Sequence, residues 1–167
     1  MDADALRALQ APLKERYKQA PESAVITLSA RGRLDDTELA CNVETGRALV
    51  AAGLHPATGG TGMLACSGDM LLQALVACAG VTLKAVATAL GITVSDGTVE
   101  AEGDLDFRGT LGVSRDAKVG FENVRLKFHL TTDAPPEQLA KLIELTERYC
   151  VVLQTLRQPP NIEVLTT

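Results

Sequence analysis

One run, MLLQALVACAGVTLKAVATAL from Met70 to Leu90, constrains this chain more than any other stretch. Between Met70 and Val81 its only polar side chains are Gln73 and the thiol of Cys78. A helix that apolar nearly all round has to be covered on several sides. Ser67 or Asp69 supplies the N-terminal signal, since hydroxyl and carboxylate side chains satisfy the free amides there. Gly91 supplies the stop. The run from Met70 to Val81 is too short to cross a bilayer, which asks for about 20 apolar residues, and it continues through Lys84. No membrane association is expected. MDADALRALQ has no signal-peptide core, so the expected location is the cytoplasm. A formal charge of −5 leaves no clustered cations for phosphates, which argues against nucleic acid as a partner.

The flanking segments read as strands and further helices. Leu6, Leu9, Leu13 and Tyr17 recur at helical spacing, and Pro21 ends that helix. Alternation from Ala24 to Arg33, and again through Leu39, Cys41 and Val43, predicts half-buried strands. Ala48 to Ala52 is a candidate third strand. Val99, Ala101, Gly103, Leu105 and Phe107 alternate with Glu100, Glu102, Asp104 and Asp106. Val124, Leu126, Phe128 and Leu130 alternate with Arg125, Lys127 and His129. An acidic wet face and a basic one suit antiparallel neighbours. Pro135-Pro136 marks a helix start, with Leu139, Ile143, Thr146 and Cys150 on one stripe. Ile162, Val164 and Leu165 suggest a last strand. The order predicts an α+β fold, helices on an antiparallel-rich sheet, with residues 1–22 as a helical extension and 23–167 as one domain.

Four cysteines stand at 41, 66, 78 and 150. No CxxC pair exists, so neither a zinc ribbon nor a thioredoxin motif is expected. In a reducing compartment a free cysteine is ordinarily a small buried hydrophobe. Cys78 and Cys150 are set in apolar faces far apart in sequence; brought together, they form a dithiol. Apolar surroundings disfavour a thiolate, so a reactive Cys78 needs a cation from elsewhere. Arg31, Arg33, Arg108 and Arg115 are the candidates, with Arg31 and Arg33 on one strand face; the plainer reading makes them surface arginines. His55 reads as a surface-loop residue, with the lining of an entrance as its alternative; His129 reads as solvated, and Cys66 as a packed residue or an alternative thiol partner. The Gly-rich stretch GLHPATGGTGMLAC lacks the ending of a phosphate-binding loop.

The segment SGDMLLQALVACAGVTLKAVA resembles the first-cysteine helix of the OsmC/Ohr family, and ERYCVVLQTL resembles its second. DFRGTLGVSRDAKVGFENVRLKFHL fits the middle of that fold. The likeness spans roughly residues 24–166. It implies an OsmC-like α+β fold, an intertwined homodimer, and a thiol peroxidase reducing organic hydroperoxides without metal or other cofactor. It makes Cys78 the peroxidatic thiol and Cys150 the resolving one, with a dithiol reductant, often a lipoylated protein, closing the cycle. Where the peroxidases carry a glutamate ten residues before the first cysteine, this chain has Gly68. Asp69 either substitutes for it or caps the helix. The competing expectation is a non-catalytic relative that holds a lipid-like or acyl ligand in an apolar interface cavity.

Overall fold

The computed structural model describes residues 3–34, 41–43 and 52–166. Helix α1 (Ala3–Gln19) leads through a short 3₁₀ turn (Pro21–Ala24) into β1 (Val25–Leu34) and β2 (Cys41–Val43). After β3 (Ala52–Gly53), a 3₁₀ turn (Pro56–Thr58) and β4 (Ala65–Cys66) comes the long helix α2 (Ser67–Leu90). Then follow β5 (Asp96–Asp106), the single turn α3 (Phe107–Thr110), β6 (Phe121–Thr131), α4 (Pro136–Tyr149) and α5 (Val151–Arg157). The sheet runs in the order β2-β1-β5-β6, and β3 pairs with β4 in parallel. β1 and β2 are antiparallel, with Gly32 opposite Val43.

The acidic and basic faces expected on β5 and β6 meet. Arg125 binds Asp104 at 2.6 Å and Glu102 at 3.1 Å, and Lys127 reaches Glu102 at 2.7 Å. Hydrogen bonds from Arg125 and Thr27 hold the Asp104 carboxyl well below the usual carboxylate range. Those from Lys127 and Arg125 do the same for Glu102. Groups depressed in this way add stability above the ordinary carboxylate pKa near 4, and it is lost as pH falls through their folded values. Arg125→Met should therefore lower the urea midpoint at pH 7. Near pH 2 its gap from the wild type should narrow, because protonation takes from the wild type a contribution that the variant already lacks.

Contacts sort the chain into two compact units. The first takes Met1–Ala30, Glu44–Gln73 and Glu100–Lys127; the second takes Arg31–Val43, Ala74–Val99 and Phe128–Thr167. In the first, Tyr17, Ala24, Ala57, Phe107 and Leu111 form a core, with Leu13, Ile26, Leu105 and Val113 against it. The N-terminal helix is thus anchored by its last apolar residue. The Tyr17 hydroxyl, fully buried, donates to the Ala57 carbonyl at 2.8 Å. Tyr17→Phe keeps the ring but strands that carbonyl. The expected cost is about 1–2 kcal/mol, read as a drop in chemical-denaturation stability.

Helix α2 departs from the expectation of cover on several sides. Leu72, Leu75, Val76, Ala79, Leu83 and Ala87 are buried, but Met70, Leu71 and Val81 are each about two-fifths exposed. One chain covers one face, and hydrophobicity alone does not say where the rest of the cover comes from. The whole helix of 24 residues is also long and apolar enough to cross a bilayer by length and composition. The expectation against a span rested on the shorter Met70–Val81 run. Its buried leucines are what the core helix of a folded domain presents. The last strand is corrected too. Ile162, Val164 and Leu165 are 76, 86 and 76% exposed, and no strand forms after α5 among the described residues. Alternation becomes a strand only where an edge pairs with it. Of the candidate third strand at 48–52, only Ala52 lies within the described residues, and Leu39 lies outside them.

Candidate active site

Cys78 and Cys150 belong to the same unit, and each is placed by a helix. Cys78 follows the buried Leu75 and Val76 on α2 and stays partly exposed, at the margin of that buried face. Cys150 sits where the second helix breaks. Its ψ of 104° interrupts the helical path between α4 and α5, while its amide still bonds the Thr146 carbonyl at 3.0 Å. The two pieces are fastened across the break. Gln154 donates to the Glu147 carbonyl at 2.7 Å, satisfying a group that the helix end leaves open. Arg157 pairs with the Glu147 carboxylate at 2.8 Å. Thr146, fully buried one turn earlier, spends its hydroxyl on the Leu142 carbonyl. The break therefore fixes Cys150 inward, with none of its surface exposed.

The two thiols are unbridged and near enough for the Cys78 sulfur to bear on the charge of Cys150. Residues far apart in sequence thus come within reach of each other's charge. Burial pushes the Cys150 thiol up to about 11, and the Cys78 sulfur adds to the rise. The amides of Leu153 and Val152, at the start of α5, pull the other way. At neutral pH Cys150 is held as a thiol.

The other candidates are placed differently. The Arg31 side chain lies outside the described residues. Arg33 is exposed and pairs with Asp96 at 3.4 Å. Arg108 is folded onto Asp106 by bonds of 2.9 and 3.1 Å from its Nε, and Arg115 is exposed. Two of the four proposed cations are therefore held by carboxylates. Asp69 stands in the first turn of α2, partly buried. That burial pushes its carboxyl up, and the charge of His55 opposes the rise.

His55 is the residue that sequence reasoning undervalued. Its Nδ1 accepts the Ala57 amide at 3.0 Å, which caps the 3₁₀ turn, and its ring stacks on Phe107 at 4.9 Å between centroids. The signal was present: a residue just before Pro at the start of a turn occupies the cap. His55 also lines a cavity of about 410 Å³ in the first unit, with Cys66, Gly68, Leu71, Leu105, Phe107 and Phe121 among its walls. Cys66 is partly buried there, as expected of a packed residue.

Comparison with known proteins places this arrangement. A family model described as OsmC-like protein matches residues 60–165. The structure resembles that of an OsmC-like hydroperoxide resistance protein from Jannaschia sp. CCS1, with a TM-score of 0.60 at 20% identity, over 83% of this chain and 91% of that one. It also resembles an OsmC like protein from Mycoplasma pneumoniae, with a TM-score of 0.56 at 15% identity, over 81% and 86%. No curated protein matches the chain. At these identities the structural likeness carries the fold and not the activity. The family match covers more than half of the sequence and takes in both Cys78 and Cys150, and on that ground the chain belongs to the OsmC-like family.

Proposed function

We propose that this protein is a thiol peroxidase that reduces organic hydroperoxides, with Cys78 as nucleophile and Cys150 as resolving thiol. The observation that carries the reading is a partly exposed Cys78 and a fully buried Cys150 in one compact unit, near enough for one sulfur to bear on the other's charge. The Cys78 thiolate attacks the terminal peroxide oxygen. The O–O bond breaks, an alkoxide leaves and takes a proton as the alcohol, and Cys78 becomes a sulfenic acid. Cys150 condenses with that acid to a disulfide, releasing water. A dithiol, for example a lipoyl group on a partner protein, reduces the disulfide by exchange. The steps need no metal or organic cofactor.

An arginine beside Cys78 would steady its thiolate, and Arg31 is the proposed one, because Arg33 is engaged with Asp96. Asp69 is proposed to position that cation in place of the family glutamate. A homodimer in the cytoplasm completes the proposal. Its support is an exposed apolar surface in the first unit: Leu54, Met63, Leu64, Leu71 and Val119 are 39 to 76% exposed, and Leu54, Leu71 and Val119 share the cavity wall. Contiguous apolar patches of that kind mark association sites.

The test is consumption of a hydroperoxide panel with dihydrolipoamide as reductant; organic hydroperoxides should be turned over, and absence of turnover with every member would end the proposal. A second reading draws on the cavity beside His55, whose volume of about 410 Å³ falls in the range of small-molecule sites. In that case a fluorescent fatty acid binds the Cys78→Ser protein as tightly as the wild type, and no hydroperoxide is consumed.

A further inference from the structure

We propose that reduction of the Cys78–Cys150 disulfide has a fixed polarity: the incoming thiol attacks the Cys78 sulfur, and Cys150 is always the leaving group. The inference deepens the peroxidase reading and rests on it only for the pairing of the two thiols.

Thiol–disulfide exchange depends on the leaving thiol's acidity and on which sulfur can be reached. The two sulfurs differ sharply in the second respect. Cys150 is wholly buried in the break between α4 and α5, with Thr146 and Leu142 buried before it. The α4–α5 elbow is fastened by the Gln154–Glu147 and Arg157–Glu147 contacts, so exposing Cys150 means opening that elbow. Cys78 is partly exposed on α2, where its helical neighbours Ala74 and Val81 are open to solvent. Acidity points the other way, because burial makes Cys150 a reluctant thiolate and so a slower leaving group. Access decides, since a buried sulfur presents no line of attack. The amides of Val152 and Leu153, at the start of α5, favour the negative charge on Cys150 as it leaves.

The step balances. A thiolate of the reductant forms a bond to the Cys78 sulfur while the S–S bond breaks. Cys150 departs with the electron pair and takes a proton. The second thiolate of the dithiol then attacks its own mixed disulfide, the reductant leaves as a cyclic disulfide, and Cys78 is released as a thiolate.

The experiment uses the full-length wild-type chain. The disulfide is made with diamide rather than a hydroperoxide, so a failure of peroxidase activity leaves this test intact. A monothiol, which cannot close on itself to release the mixed disulfide as a dithiol does, is added briefly. The mixture is quenched in acid, and the adduct is mapped by peptide mass spectrometry after alkylation in denaturant. The expected result is monothiol on Cys78 and alkylation on Cys150, in at least about tenfold excess over the reverse, a preference of about 1.4 kcal/mol. An adduct on Cys150, an even split, no adduct, or no disulfide with diamide would each overturn the inference.

Discussion

Cys78→Ser should remove hydroperoxide turnover altogether, by on the order of a thousandfold or more, because it deletes the nucleophile itself. Cys150→Ser should also stop multiple turnover, but at a later stage. One equivalent of hydroperoxide is still consumed, and the Cys78 sulfenic acid then persists, to be trapped by dimedone. The burst separates the two roles; turnover alone does not. Serine fills nearly the same volume as cysteine at both positions, so both variants should keep the wild-type circular dichroism. The pH dependence of the second stage follows from burial. Cys150 is pushed up to about 11, and the thiolate is the attacking species. Below that value its fraction rises about tenfold for each pH unit. In single-turnover experiments, disulfide formation should accelerate steadily from neutral pH into the alkaline range without levelling off near 8 or 9. Retained turnover in Cys78→Ser, or a plateau at the ordinary thiol value, would contradict the assignment.

How much of this was legible in the residues depends on the range of the interaction. The period of β5 was readable because Val99, Ala101 and Gly103 are buried while Glu100 and Glu102 between them are not. Its pairing with β6 followed from charge, and Arg125 does bind Glu102 and Asp104. Gly91 ends α2 in the left-handed region, with φ of 68°, where a residue without Cβ is at ease. The pairing of Cys78 with Cys150 rests on resemblance and on two apolar settings, since nothing in local sequence encodes a meeting of residues so far apart. The break at Cys150 was readable only as an ambiguity, because helix and extended forms compete closely beside the β-branched Val151 and Val152. The strand expected at Ile162 to Leu165 failed for a related reason. Alternation reports which faces differ, and it says nothing of a neighbouring edge. His55 was discounted as a loop residue because its value comes from tertiary contact with Phe107. The exposed half of α2 was misread since a hydrophobic pattern counts what gains by burial, whichever chain provides the cover.

The exposed apolar surface of the first unit gives the second large effect. The Met63 and Val119 side chains are 72 and 76% exposed, so charges placed there meet water in the isolated chain and should leave its fold intact. If a second copy covers the patch, both charges are buried at the interface instead. Each apolar side chain withdrawn from water contributes about 1.5–3 kcal/mol, and the loss of two is worth about 3–6 kcal/mol. In the dissociation constant that is on the order of a hundredfold to ten-thousandfold, before the cost of desolvating two carboxylates is added. Met63→Glu combined with Val119→Glu should therefore turn a dimer into a monomer in analytical ultracentrifugation, with unchanged circular dichroism. A wild type that sediments as a monomer at the same concentrations would rule out the covered patch, as would a double variant that associates as tightly as its parent. Neither residue lies in α2, which carries Cys78, or in α4 and α5, which flank Cys150. Disulfide formation with diamide should thus survive in the monomer, whereas hydroperoxide turnover should fall if the second copy helps to build the substrate's surroundings. Running both assays on one variant separates what the chain does alone from what it does in pairs.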